Sequence, residues 1–204
     1  MIRKNLILIL LLFLVMPAFS QDTETKEKRR WSRINLGLGI NIPLKPHATN
    51  YNPGMSINES YEFLFLEHFS LIQGLAFNFI SGQTVEEFYE NQIVNTEYEN
   101  LYTVPLQFGI GYYFGENQKT FFVLIKGGVA YFKGVNPAYP EIIVNGNVVK
   151  PAIAREEYDG VYNFITPTVG WQFERFQIRA SYQGHVEQDA TVNILNFSVA
   201  YKVY

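Results

Sequence analysis

Hydrophobic residues alternate with small or polar residues over long stretches of the chain. In segment 32–44 one set of alternate positions is aliphatic, namely Ile34, Leu36, Leu38, Ile40, Ile42 and Leu44. The positions between them are Arg33, Asn35, Gly37, Gly39 and Asn41. Successive side chains of a strand point to opposite faces, so this period of two predicts a β-strand and not a helix.

The same period predicts eight strands. They span residues 32–44, 54–66, 69–80, 102–114, 121–132, 162–173, 176–184 and 193–203. Each is close to the ~9–11 residues with which a tilted strand crosses a membrane. The connections alternate between short turns (67–68, 115–120, 174–175) and longer loops (45–53, 81–101, 133–161, 185–192). Short turns at one rim and long loops at the other are typical of barrels that cross a membrane.

Charged residues are scarce within these predicted strands. The six that occur there are Arg33, Glu59, Glu62, Lys126, Arg179 and Lys202. A basic side chain facing lipid at the midplane costs about 2–4 kcal/mol, and an open sheet edge in hydrocarbon leaves backbone groups unpaired. We therefore predict an all-β fold, an eight-stranded antiparallel up-and-down transmembrane β-barrel, with its apolar face turned to lipid and its last strand paired with its first.

The charged residues on the polar face are candidates for a site inside this barrel. We expect Arg33, Glu62, Lys126 and Arg179 to form an internal hydrogen-bonded network. Eight strands enclose just enough space for side chains, so a general diffusion pore is not expected.

Three residues fit the alternation poorly. Glu59 falls on the apolar face, and we predict that a bulge near it turns it inward. For Pro105 and Pro167 the sequence predicts bulges or positions above the bilayer, because proline cannot donate a ladder hydrogen bond.

The N-terminus has the features of an export signal. Arg3 and Lys4 precede an apolar run from Leu6 to Met16, which is too short to cross about 30 Å of hydrocarbon. We expect a signal peptide over residues 1–20 with cleavage between Ser20 and Gln21. Residues 21–30 are then a flexible periplasmic leader, and residues 31–204 the barrel domain.

Composition narrows the possible chemistry. The chain has no cysteine, which excludes disulfides and thiolate metal sites, and its net charge of −3 gives no basic surface for nucleic acid. Aromatic residues make up 16% of the chain and gather near the predicted strand ends, where two aromatic girdles are expected at the membrane interfaces. No cofactor is expected.

Taken together, the signal peptide, the eight strands and the closing segment Leu195–Tyr204 resemble the small eight-stranded outer-membrane β-barrel family. In particular, the chain resembles the outer-membrane protein β-barrel domain common in Bacteroidota. The aromatic final strand is similar to the signal that the barrel-assembly machinery reads. The resemblance implies residence in the outer membrane, with lipid or lipopolysaccharide and that machinery as partners, and it allows a further envelope protein as a partner.

Catalytic and metal chemistry find little support in the sequence. Ser181 and His185 share a strand face, but four residues along one strand span about 13 Å, beyond hydrogen-bond reach. His47 and His68 fall at opposite rims, so they cannot share a metal. We therefore do not expect an enzyme.

The long loops carry the remaining candidates for an interaction site. Glu86, Glu87 and Glu90 lie in a segment, 81–101, that has no basic residue. Asn145 and Gly146 separate two β-branched runs, a strong signal for a hairpin that projects above the barrel. Such a hairpin either stiffens its loop or offers an edge to a partner strand.

These observations favour a structural or interaction role in which a packed barrel presents extracellular loops. Three alternatives stay open at this point. They are an accessory component of an envelope secretion apparatus resembling the PorT-like group, a lipid-modifying enzyme that depends on His185, and a soluble periplasmic lipocalin-like binder.

Overall fold

Twelve β-strands make up the computed structural model, which describes residues 32–44, 50–65, 68–89, 92–115, 119–137, 142–144, 147–150, 152, 154–186 and 193–203. The predicted signal peptide and leader lie outside these residues. The strands are β1 Ser32–Pro43, β2 Tyr51–Leu64, β3 Phe69–Gly82, β4 Thr84–Tyr89, β5 Gln92–Glu97, β6 Leu101–Tyr113, β7 Thr120–Asn136, β8 Ile142–Val144, β9 Asn147–Lys150, β10 Glu156–Gln172, β11 Phe176–His185 and β12 Ile194–Val203.

Eight of these strands close into one barrel, in the order β1-β12-β11-β10-β7-β6-β3-β2. The seam between β1 and β12 is antiparallel and runs without interruption from Ile34 opposite Val203 to Pro43 opposite Ile194. The predicted eight-stranded antiparallel barrel is therefore confirmed. Its strands are longer than the alternation indicated at the long-loop end, where β7 continues to Asn136 and β10 begins at Glu156.

The barrel is apolar outside and polar inside. Outward side chains such as Leu38 and Ile57 are 64% and 60% exposed, whereas the inward Asn35, Ser70 and Gln177 are fully buried. This distribution is the reverse of that in a soluble barrel, and it suits an exterior in hydrocarbon. The described part of the chain contains no helix with the length and hydropathy of a membrane span.

Two clusters of buried apolar side chains pack across the interior. The first lies at the long-loop end and comprises Tyr51, Ile80, Leu101, Ala130, Phe132, Phe164 and Ile194. The second lies toward the short turns and comprises Ile72, Tyr113, Phe122 and Leu124. The remaining inward positions are mostly polar.

Outward aromatic rings pack against one another near the short turns. The Phe69 and Phe114 rings both meet Tyr112 edge to face with centroids 5.0 Å apart, and Phe114 also lies 5.4 Å from Phe121. The girdles themselves, which concern the level of these rings relative to a bilayer, stay a prediction.

The two prolines lie within strands of unshifted register, so the bulge alternative is wrong, and the alternative of a position above the bilayer stays a prediction. Pro105 faces Ala130 and Pro167 faces Ile125 in unshifted registers with β7. Pairing with the strand on the other side has a gap at each proline, but the register is the same before and after the gap. The missing N–H of each proline therefore interrupts one ladder locally and leaves the strand position unchanged.

Glu59 does not turn inward. It faces Leu75 in an uninterrupted stretch of the β2–β3 ladder and is exposed on the outer surface. The irregularity in β2 lies instead between Asn52 and Met55, nearer the long-loop end. The predicted bulge near Glu59 is thus wrong, because the insertion that resets the phase of β2 comes earlier in the strand.

Two hairpins extend the long connections. β8 and β9 pair antiparallel on either side of residues 145–146, as the Asn-Gly pattern predicts. β4 and β5 pair from Thr84 opposite Glu97 to Tyr89 opposite Gln92, within a segment predicted only as a loop.

Candidate functional site

The Glu62 carboxylate is the centre of a hydrogen-bonded cluster inside the barrel. Oε2 accepts from Arg33 Nε at 2.7 Å and from Asn35 Nδ2 at 3.4 Å. Oε1 accepts from Ser70 Oγ at 2.7 Å and from the Tyr113 hydroxyl. These residues come from four strands: Arg33 and Asn35 from β1, Glu62 from β2, Ser70 from β3 and Tyr113 from β6. The cluster therefore links neighbouring strands across the interior.

Arg33 connects this cluster to the opposite wall. Its Nη1 donates to Gln172 Oε1 at 2.8 Å, and its guanidinium carbon lies 4.7 Å from the centre of the Tyr113 ring. Gln177 Nε2 donates to the same Gln172 oxygen at 3.0 Å, and the Arg179 guanidinium donates to Gln177 Oε1, from Nε at 2.9 Å. A continuous chain of hydrogen bonds thus runs from Glu62 to Arg179.

Lys126 points into the same interior but is not joined to this chain. Of the four residues predicted to form the network, the structure brings Arg33, Glu62 and Arg179 together through Gln172 and Gln177. Lys126 instead lines a small polar cavity of about 50 Å³ together with Arg179. Sequence reasoning missed Tyr113, Ser70, Gln172 and Gln177. Their inward phase was readable, but the contacts of Tyr113 and Ser70 with Glu62, and of Gln172 and Gln177 with Arg33 and Arg179, depend on strand order.

The long-loop rim has a second polar region at the base of the β4–β5 hairpin. Tyr98 N donates to the Gln83 carbonyl oxygen at 3.0 Å, and the Tyr98 ring meets Tyr51 edge to face at 5.9 Å. These contacts anchor the hairpin to β2. Beside it, Arg155 forms an ion pair of 2.5 Å with Glu99.

A cavity of about 400 Å³ opens at this rim. Carboxylates, one ammonium group and two aromatic rings are among the groups that line it, contributed by Glu97, Glu99, Glu157, Lys133, Tyr98 and Tyr102. Mixed charge beside phenol rings suits a polar partner with hydrogen-bonding groups.

The predicted loop site is only partly described. Glu86 is exposed in β4 opposite Asn95, and Glu87 lies next to it in the same strand. Glu90, Asn145 and Gly146 lie outside the described residues, as does His47. The carboxylates found at the rim cavity are different ones, Glu97, Glu99 and Glu157.

The residues considered for catalysis are occupied in other contacts. Ser181 accepts a hydrogen bond from Thr168 Oγ1 at 2.9 Å. The His185 ring lies edge to face against Phe132, with centroids 4.7 Å apart, and His68 Nδ1 is 2.8 Å from the Tyr113 carbonyl oxygen. Within the described residues, no group of three or more His, Asp or Glu side chains is placed to hold a metal ion.

No family model and no curated protein sequence matches the chain. Solved structures do resemble it. Ail, the attachment invasion locus protein of Yersinia pestis, has 14% sequence identity and a TM-score of 0.52, over 84% of this chain and 97% of Ail. The N-terminal β-barrel domain of Pseudomonas aeruginosa OprF has 13% identity and a TM-score of 0.48, over 85% and 98% of the two chains.

At such low identity the likeness to Ail concerns the fold alone. It agrees with the closed order of strands, the outward apolar face and the alternation of short turns with long connections. The chain therefore has the fold of the small transmembrane β-barrels, eight antiparallel strands around a packed polar interior.

Proposed function

We propose that this protein is an outer-membrane barrel that acts by contact, with its long-loop end as the surface that meets a partner. The observation that carries the proposal is the asymmetry of the two ends. At one end the strands are joined by short connections, and at the other β7 and β10 stay paired as far as Asn136 and Glu156, beside the β4–β5 hairpin and the rim cavity.

The location rests on two supports. The N-terminal signal supports export with cleavage between Ser20 and Gln21, and the outward apolar face supports residence in a bilayer. In the outer membrane, lipid and lipopolysaccharide surround the barrel. The barrel-assembly machinery is the partner that we propose for its insertion.

We also propose that the protein has no enzymatic activity. Ser181 is hydrogen-bonded inside the barrel, whereas His185 packs against Phe132 at the rim. Four residues of one strand separate them, about 13 Å. A His185→Ala variant is accordingly expected to leave the lipid composition of the outer membrane unchanged, as read by mass spectrometry of extracted lipid.

Site-specific photocrosslinking in intact cells tests the contact role. A photoreactive residue replaces Glu157 at the rim cavity in one strain and Phe173 at a short turn in the matched control. We expect cell-surface or envelope adducts from position 157 that are lost when residues 84–97 are replaced by two glycines. Gln83 and Tyr98 are already hydrogen-bonded, so this deletion can be closed without strain.

The deletion strain must still show the heat-modifiable gel migration of a folded barrel. The same adducts in the deletion strain, or none from position 157, would contradict the proposal. The identity of the adducts separates a general surface contact from the more specific role of an accessory to an envelope secretion apparatus of the PorT-like kind, in which components of that apparatus would be recovered.

A further inference from the structure

Positive charge exceeds negative charge inside the barrel. Among the described residues, the Asp, Glu, Lys and Arg side chains that point inward are Glu62 and the four basic residues Arg33, Lys126, Arg179 and Lys202. Glu62 is already paired with Arg33. Three cationic charges are thus enclosed by a barrel wall that faces hydrocarbon, where an uncompensated charge is costly.

Three hydrogen-bond donors stand in one row beside this excess charge. Lys126 on β7 faces Thr166 on β10. The register of β10 with β11 runs from Ile165 opposite Gly184 to Thr168 opposite Ser181, which sets Thr166 opposite Gln183. Side chains at facing positions on adjacent strands lie about 4.5–5.5 Å apart at Cβ, so the three polar ends can converge on one point.

Two of these three groups lack a partner. The Thr166 hydroxyl and the Gln183 amide nitrogen are buried and make no hydrogen bond to any described residue. Lys126 has no ion pair within the described strands, and Arg179 bonds only the Gln177 oxygen there. Buried donors left unpaired are costly, so a missing acceptor is implied.

All of these groups open onto the polar cavity of about 50 Å³. A water molecule needs about 10–15 Å³ on this measure, so the cavity holds a few water-sized species. Water alone would satisfy the hydrogen bonds but leave the cationic charges uncompensated. Two unpartnered acceptors that also line the described cavity, Asn58 Oδ1 and Gln107 Oε1, suit the water that would share the space.

We propose that this cavity is a binding site for a monatomic anion, with chloride as the physiological candidate. The Lys126 ammonium group supplies the main charge, Thr166 and Gln183 donate the additional hydrogen bonds, and Arg179 adds a second positive charge at the cavity wall. The apolar cluster at the long-loop end lies above the site and shields it from that side. This inference stands independently of the proposed contact role.

Anion-dependent stability tests the proposal. The purified barrel in detergent is heated in sodium chloride, sodium bromide or sodium gluconate at one ionic strength, with the loss of heat-modifiable migration as the readout. We expect the midpoint temperature to rise and saturate with chloride or bromide but not with gluconate, which is too large for the cavity. Equal midpoints in chloride and gluconate would overturn the site.

Matched variants locate the effect. Lys126→Met is expected to abolish the chloride dependence and to raise the midpoint in gluconate, because it removes an uncompensated charge. Lys202→Met is the control, since Lys202 is an inward lysine that does not line this cavity. Gln183→Leu should shift the chloride concentration for half-maximal stabilisation at least tenfold upward. Chloride dependence that survives Lys126→Met would overturn the assignment.

A direct measurement on the unmodified protein does not depend on the folding of any variant. Chloride-35 NMR of the detergent-solubilised barrel should show line broadening that bromide competes away. Absence of broadening at chloride concentrations that raise the midpoint temperature would contradict binding at an internal site.

Discussion

Glu62 shows how a single buried charge is held in a barrel that faces lipid. Its two oxygens accept from Arg33, Asn35, Ser70 and Tyr113, so little of its hydrogen-bonding capacity is left over. The alternation of residues sets Arg33 and Glu62 inward, and this much is readable from the sequence. That Tyr113, 51 residues away, completes the cluster is decided by β6 pairing with β3, which local patterns do not encode.

Removing this carboxylate should be strongly destabilising. Glu62→Leu leaves the Arg33 guanidinium buried without its ion-pair partner, a change that typically costs about 3–5 kcal/mol. The free energy of unfolding, from urea titration in detergent micelles, is the measurement. Ser70→Ala removes one hydrogen bond to the same carboxylate and should cost about 1.5–3 kcal/mol. A loss for Glu62→Leu no larger than for Ser70→Ala would contradict the central role of Glu62.

Two adjacent glycines provide a second residue-level prediction. A Cβ on the inward Gly128 would lie 1.9 Å from the Leu106 carbonyl oxygen, whereas on the outward Gly127 it would lie 3.4 Å from the Phe164 carbonyl oxygen. Gly128→Ala should therefore lower the free energy of unfolding by about 3 kcal/mol, at the upper end of overpacking costs. Gly127→Ala, one residue away, should change it little; equal effects would indicate that the wall can yield at Gly128.

At the scale of strands, β2 and β3 carry the clearest departure from an apolar exterior. Glu59 is exposed opposite Leu75, and the half-exposed Gln73 faces Tyr61 next to it. β3 spans Phe69–Gly82, so Leu75 is near its middle and Glu59 lies far from either strand end. The sequence identified Glu59 as an exception, but it could not show whether a bulge corrects it, because bulge position depends on pairing with the neighbouring strand.

Replacing Glu59 by an apolar residue should stabilise the barrel. Glu59→Leu is expected to raise the free energy of unfolding in lipid vesicles. The gain should be smaller than about 2–4 kcal/mol, which is the cost of a lipid-facing Arg or Lys at the midplane, because acidic residues cost less there. The same substitution at Glu62, three residues along and on the opposite face, is expected to destabilise. A destabilising Glu59→Leu would show that this carboxylate has a favourable contact in the membrane.

The strands differ in how readily the sequence reveals them. All eight barrel strands follow from a period of two, because each has one face in hydrocarbon and one inside. The β4–β5 hairpin was missed, since a hairpin beyond the bilayer has no lipid-facing side to impose alternation: Val85, Glu86, Glu87 and Phe88 follow one another without it. The β8–β9 hairpin was found through its turn residues instead.

For the molecule as a whole, the filled interior determines what can pass through it. Apolar clusters pack across it toward both ends, and the cavity between them is about 50 Å³. We expect planar-bilayer recordings of the reconstituted protein to show no large steady conductance. The double variant Tyr51→Ala, Phe132→Ala opens the long-loop cluster, and its conductance is compared with that of the unmodified protein. Steady porin-like currents from the unmodified protein would contradict a packed interior.

The seam between β1 and β12 has a consequence for how such a chain is made. The strands that meet there come from opposite ends of the described sequence, and Ile34 faces Val203 in their ladder. No smaller subset of the strands can form a cylinder with this seam, and a partial sheet would present two bare edges to hydrocarbon. Biogenesis must therefore keep the growing polypeptide protected until its last strand is delivered, and a chain interrupted before that strand is left as a substrate for proteases.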